Sequence, residues 1–399
     1  MAYAIGQPAP WPLSPDWDQQ VQETVAWFTD VQVARTGVQQ KRQLRLNPRR
    51  AFAFSGVAST DMRRLLDAMR FDMGIQPWLL PIYPDVQRLA AALPAGSPTL
   101  ACTTDGFDFV VGGQILFWQD PRTWELATVD SIAEGQLTLD TATANAWPVG
   151  TRVYPVRAAV LATQAPTEDQ DSDDVASINV TLQVTDVCTW PSWTPAATYR
   201  GVPVLEWRGD EGSSLEGEYD RTVQTVDVDT GPVSYFDLPG MPFRQQPQNF
   251  VLSGRDDHTQ FRGLAYYLAG RAGQLWVPSW QADFQLLADA AATDTSLQVN
   301  WAGYTVFGRE QTNRQDIRIE LYDGTVLYRR ITGSAELTTG ETLDLDSALG
   351  VAFAVGDVRQ INFLSMMQLA SDTVQITHQT DADGIATATL TWQAVANDV

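Results

Sequence analysis

Cysteine and histidine are scarce in this 399-residue chain, with two of each. Cys102 and Cys188 are too few for a disulfide framework, and the sequence predicts folding in a reducing compartment. No stretch approaches 18 apolar residues, which excludes a helical membrane span. Met1–Pro15 lacks the basic start and apolar run of a signal peptide. Positive charge is thin: 26 Lys and Arg stand against 48 Asp and Glu, for a net charge of −22. Such a surface repels phosphate backbones, so it disfavours specific nucleic-acid binding and suits either high solubility or a surface that DNA must pass without sticking. Signatures of chemistry are also missing. Neither His258 nor His378 is marked as the base of a Ser-His-Asp set, and no Cys/His spacing fits zinc. There is no phosphate-cradling glycine loop and no GxSxG elbow. The acidic runs Glu168–Asp174 and Asp381–Gly384 lack the twelve-residue calcium loop pattern. The reading is therefore a protein that is not an enzyme, with no catalytic residue, no metal and no cofactor.

What the chain does contain is an internal repeat. Residues 51–89 match 249–287 at an offset of 198, pairing Phe52 with Phe250, Ser55-Gly56 with Ser253-Gly254 and Trp78 with Trp276. Met62, Leu65, Leu66 and Met69 stand at helical spacing, and Phe261, Leu264, Ala265 and Leu268 match them at an offset of 199. Ser59 is the expected N-cap of the first helix, His258 a surface or capping group of the second, and Gly74 and Gly273 the helix-ending turns. Phe52, Leu65, Trp78, Phe250, Leu264 and Trp276 are the expected repeat-core residues. Strands are predicted at Trp27–Gly37, with Arg221–Gly231 as counterpart, at Gln43–Asn47, and at Ala51–Ser55.

A second layer of short strands follows in each unit: Thr99–Thr103, Gln114–Trp118, Trp124–Val129, Gln136–Asp140 and Thr151–Tyr154 in the first. The fold class read from this pattern is mainly β with one helix per repeat, a tandem duplication of a β-sandwich or split-barrel unit, each carrying an inserted small β-barrel. The boundaries are an extended N-terminal arm (1–25), a first ring-type unit (26–95 plus 157–188) with its small barrel (96–156), an ordered connector (189–220), and a second unit (221–292 plus 362–399) with its own small barrel (293–361). The proline-rich arm, with Trp11 and Trp17, is expected to dock on its own domain or on a neighbour. The 14 tryptophans suit core or interface burial more than sugar stacking. The basic cluster Lys41, Arg42, Arg45, Arg49 and Arg50 gives the candidate inter-subunit contacts.

The stretch WFTDVQVARTGVQQKRQLRLNPRRAFAF at 27–54 resembles the start of tail-tip structural proteins of long-tailed bacteriophages. AWPVGTRVYPVRAAVL at 146–161 and the helix, Gly-Arg-Ala-Gly and strand of Gly263–Trp280 are similar to those proteins too. The resemblance is to distal tail proteins and the hub proteins beneath them. It implies a virion protein of the tail tip, assembled in the host cytoplasm. Such proteins form rings that join the tail tube to the receptor-binding tip, with a lumen for exiting DNA. The implied partners are copies of itself, the tail tube protein and other tail-tip proteins. Two units per chain let three chains present a pseudo-sixfold face, so a trimer is favoured over a hexamer. The rival readings are a carbohydrate-binding adhesion module and a glycan-cleaving enzyme with two facing carboxylates.

Overall fold

The computed structural model describes residues 6–73, 76–162, 167–212, 217–382 and 384–396. Gly74, Ser213, Ser214 and Asp383, each part of a sequence expectation, lie outside them. The protein is mainly β. Counting strands of three or more residues, the first half has β1 (Val21–Ala26), β2 (Thr29–Val33), β3 (Gln39–Gln43), β4 (Arg49–Ser59), then helix α1 (Thr60–Met73) and β5 (Trp78–Pro81). They continue with β6 (Thr99–Ala101), β7 (Gln114–Asp120), β8 (Thr123–Ala133), β9 (Gln136–Leu139), β10 (Arg152–Leu161), β11 (Thr167–Gln170) and β12 (Val175–Val184). In the second half they are β13 (Glu218–Asp220), β14 (Val223–Val226), β15 (Ser234–Asp237), β16 (Phe243–Ser253), helix α2 (Gly254–Leu268) and β17 (Leu275–Pro278). The rest are β18 (Ser296–Asn300), β19 (Asp316–Leu321), β20 (Val326–Glu336), β21 (Gly340–Leu345), β22 (Val358–Leu369), β23 (Thr373–His378) and β24 (Ile385–Ala394).

Both halves use the same pairing plan. In the first, β4 pairs with β12, β12 with β10, β10 with β5 and β7, and the antiparallel run β7-β8-β9-β6 follows. In the second, β16 pairs with β24, β24 with β22, β22 with β17 and β19, and the run β19-β20-β21-β18 follows. The small-sheet strands fall on the runs the sequence predicts. β10 runs unbroken from the small sheet into the main one, pairing with β7 up to Val156 and with β12 from Ala159. Each small sheet encloses its own core, around Phe117 and Trp147 in the first half and around Phe284 and Phe363 in the second.

Pairing registers correct the repeat alignment. β4 and β16 share a burial pattern at an offset of 243 − 49 = 194. The buried residues Leu66, Met69 and Met73 of α1 correspond to Phe261, Leu264 and Leu268 of α2 at 195. The sequence match at 198 and 199 is thus four residues out. A shift of four keeps a strand on the same face and turns a helix by little more than one turn, so periodicity alone cannot detect it. Leu65 is consequently only half-buried and Leu66 takes the central place. Trp78 pairs with Ala159, and Leu275 holds the matching position opposite Met367. Trp276 is therefore the counterpart of Leu79, and it packs on Tyr199 instead. Helix α2 ends through left-handed Ala269 and Gly270, not at Gly273.

The arm of residues 1–25 is not merely an arm. Trp11 is buried against Trp78, ring centroids 5.0 Å apart, so the proline-rich segment docks on its own domain. Val21–Ala26 then forms the central strand of the molecule: β1 pairs with β4 of the first half on one side and with β23 of the second on the other. The result is one antiparallel series, β11-β12-β4-β1-β23-β24-β16-β13, crossing both halves. The helices and main cores lie on one of its faces. Within the connector Val204 and Leu205 are buried, and Glu206 is bound by Arg318 through Nε at 2.9 Å.

Candidate functional site: the junction and the open sheet face

The covered face of the central strands carries a network of buried charge. Alternation along β1, β4 and β23 points Glu23, Arg50 and His378 to the same side. The turn after β5 adds Asp85, the loop before β7 adds Asp108, β10 adds Arg157, and α2 adds Arg255, His258 and Arg262. Arg50 donates to Glu23 at 2.7 Å and also to Asp108, which Arg157 holds from the other side. Arg262 donates to Glu23 at 2.9 Å and to Asp85 at 3.0 Å, and Arg255 donates to Asp85 at 2.8 Å. His378 Nε2 lies 2.9 Å from Glu23 Oε2. Arg255 stacks over Phe107 at 3.9 Å and Arg262 over Trp190 at 5.0 Å.

The electrostatics follow from that geometry. Burial alone would raise the Glu23 and Asp85 carboxyls, but the arginines outweigh it. Arg262 and Arg50 hold Glu23 well below the usual carboxylate range, and Arg262 and Arg255 bring Asp85 down to about 2. His258 is pushed down to about 4 by burial first, then by His378, Arg262 and Arg255, so it is neutral. Every oxygen of Glu23, Asp85 and Asp108 accepts at least one hydrogen bond within the network. Carboxylates so committed are poor proton acceptors for a reaction. Mechanically, Arg255, Arg262 and His378 of the second half are tied to Asp85 and Glu23, so the network fastens the halves together. Among the described residues no group of three or more His, Cys, Asp or Glu is placed to hold a metal.

Two expectations are corrected here. His258 is buried, not a surface cap, and its ring sits 5.6 Å from that of His378 although the two are 120 residues apart in sequence. Arg50 is only 4% exposed and is held inside the chain by Glu23 and Asp108, so it is no inter-subunit contact. The other members of the basic cluster separate as well. Arg45 donates to the Ala26 carbonyl at 2.9 Å, Lys41 is half-buried beside Arg271, and Arg42 and Arg49 are exposed. Phe52, Trp78, Phe250, Leu264 and Trp276 are all buried.

The opposite face of the central series is open and has a chemistry that sequence reading missed. Its residues are Ala51, Ala53, Ser55, Val57 and Ser59 on β4, Gln22, Thr24 and Ala26 on β1, and Thr373, Gln375 and Thr377 on β23. The flanking strands add Ser177, Asn179, Thr181 and Gln183 on β12, Thr387, Thr389, Thr391 and Gln393 on β24, and Gln245, Asn249 and Ser253 on β16. None of these is charged, in a chain of net charge −22. Charge appears at the borders, as Arg49, Asp169 and Glu218. The alternation of Thr, Gln and Ser with apolar residues along each strand was legible. That the strands of both halves would share one face was not, because β1 makes that connection.

No protein-family model matches this sequence, and no curated protein matches it either.

Proposed function

We propose that this chain is a structural subunit of a bacteriophage tail tip (baseplate), a distal tail or hub protein in a ring around the DNA exit channel. It joins the tail tube to the receptor-binding tip and carries out no catalysis. The observation that supports this reading most is the uncharged open face, continuous across both halves. Double-stranded DNA carries about one negative charge per 1.7 Å of axis. A basic wall would bind it and an acidic wall would repel it. Hydroxyls, amides and small apolar groups do neither, which suits a passage through which DNA must slide. The shared pairing plan of the halves is what a tandem duplication leaves, and two like units per chain favour three chains per ring.

The reading is tested on particles of the phage that carries this sequence. Antibody raised against the chain should label the tail tip, and native mass measurement of the purified ring should give three copies. Label on the capsid alone overturns the assignment. Six copies would keep the ring and discard the trimer.

One observation favours the adhesion reading. Trp301 is 64% exposed on the second small sheet, and it and Phe307 both flank Gly303. Trp118, Trp124 and Trp147 of the first small sheet are buried and offer no such platform. Glycan titration of the chain with and without Trp301→Ala separates this reading. Binding that vanishes in the variant supports an adhesive role, and no binding removes it.

A further inference from the structure

We propose that a second copy of this chain docks head-to-tail on the end formed by β13 and the β14–β15 hairpin, rebuilding between chains the junction that joins the halves within one. The proposal rests on the ring reading above and specifies the surfaces that close the ring.

The internal junction is the template. β1 runs antiparallel to β23 from Val21 opposite His378 to Ala26 opposite Thr373. Just beyond it, Trp27 sets its ring edge on Tyr266 of α2, centroids 5.5 Å apart. Asp372 accepts from the Thr29 amide at 2.7 Å. The hairpin β2–β3 then lies over the second half. Its turn residue Gly37, at φ +84°, passes so close to the Phe243 ring that an added Cβ would come within 2.4 Å. Thr29, Gln39 and Lys41 are the covered side of that hairpin.

Each of these parts has a counterpart that, among the described residues, is not covered by another half. Hairpin β14–β15 repeats β2–β3 at an offset of 194, since Thr29 pairs with Gln43 and Val223 pairs with Asp237. Val223, Tyr235 and Val233 replace Thr29, Lys41 and Gln39. All three are more apolar than the residues they replace, and all are exposed, Tyr235 by 69%. The receiving surface is repeated in the first half. At the helix offset of 195, Tyr266 corresponds to Phe71, which is 86% exposed. At the strand offset of 194, Phe243 corresponds to exposed Arg49. β11 corresponds to β23, because Glu168 pairs with Ile178 as Ile376 pairs with Ala388, and all four of its residues are exposed. Trp27 corresponds to Arg221, which pairs with Asp237 at 3.0 Å yet stays half-exposed, so its guanidinium can also lie on the face of Phe71 as Trp27 lies on Tyr266. The register is fixed by the template. Thr24 lies opposite Gln375, so Glu218 (24 + 194) should lie opposite Thr167 (375 − 208) of the next copy. Donor and receiver are different surfaces, so the contact is heterologous and closes only as a ring.

β11 and β13 are short and acidic, with Glu168, Asp169, Glu218 and Asp220, which guards both edges against indiscriminate pairing. Association should therefore strengthen from 0.05 to about 0.5 M salt as these charges are screened.

The test uses the full chain with two single variants, Phe71→Asp on the receiver and Tyr235→Asp on the donor. Sedimentation should show the wild type associating with rising concentration, and each variant alone at least tenfold weaker. Mixing the variants should restore one intact donor–receiver pair and give a 1:1 dimer that grows no further. A Glu218→Cys, Thr167→Cys chain should form an interchain disulfide under mild oxidation. Variants that assemble like the wild type, or a mixture that stays monomeric, overturn the proposal. If particles still carry the chain at the tail tip in that event, the ring reading survives without this interface. If the tail tip is unlabelled, it is the ring reading that fails.

Discussion

β11 and β23 are the same strand of one pairing plan in two situations. β23 is held on both sides, by β24 and by β1, and buries Val374, Ile376 and His378. Among the described residues β11 is held on one side only, and its own four residues are all exposed. The helices differ in the same direction. α2 buries His258, Phe261, Arg262, Gly263, Leu264, Ala265 and Leu268, whereas α1 buries Leu66, Met69 and Met73 and leaves Phe71 in solvent. Topology is therefore shared, while burial depends on what lies across the next edge. The second half is covered by the first half's β1, Trp27 and hairpin, and among the described residues the first half has no such cover.

The strongest way to break this contrast is to remove the charge that fastens the covered half. Arg262→Ala leaves Glu23 and Asp85 buried with one cation fewer, and such a loss costs about 3–5 kcal/mol. Urea unfolding should show a loss of that size or an early separate transition of the second half. A change under about 1 kcal/mol would mean that the network does not hold the halves. The corrected helix register gives the next effect. Leu66→Ala should cost about 2–5 kcal/mol, as expected for a large side chain deleted from a core. Leu65→Ala, at a half-buried position, should cost clearly less, and equal costs would restore the sequence alignment.

Acid should loosen the junction in a defined window. His258 has a folded value of about 4 against an ordinary 6.5, so the unfolded chain takes up the proton first. Stability is full above about 6.5 and falls as the pH drops toward 4, by on the order of 2–3 kcal/mol. Asp85, lowered to about 2 from 3.8, adds a further loss as its carboxylate protonates below that ordinary value. His378 is also held below its ordinary value, by burial first, and contributes to the same fall, so His258→Gln should reduce the upper part of the profile without abolishing it. A wild-type profile already flat from 6.5 to 4 would contradict the buried neutral imidazole.

How much of this was legible follows from period and range. The small-sheet strands were readable because Gln136–Leu139 alternates and Gln114–Asp120 is a short apolar run, each between turn residues. The helix stripes were readable for the same reason, and their equivalence was misjudged because four residues satisfy both periods at once. The charge network was not readable. Glu23 and His378 are 355 residues apart, and nothing in either neighbourhood signals the other. Arg50 sat in a run of basic residues that looked like a surface patch, and only the strand phase, with Phe52 and Phe54 on the same side, could have turned it inward.

Lys41 sharpens the comparison by the smallest effect and the most local one. It is the only lysine in the sequence, and its counterpart on the uncovered hairpin is Tyr235. Burial under the internal junction, and then the nearby charge of Arg271, lower its ammonium from 10.5 to about 8. An amine that loses its proton there becomes nucleophilic at a pH where ordinary lysines are inert. Acylation followed by peptide mapping should therefore show Lys41 half-maximally reactive near pH 8. Removing the second positive charge by Arg271→Gln should move that midpoint upward. A midpoint near 10.5 in the intact chain would mean that β2–β3 does not lie against the second half in solution. The template for copy-to-copy docking would then be lost along with it.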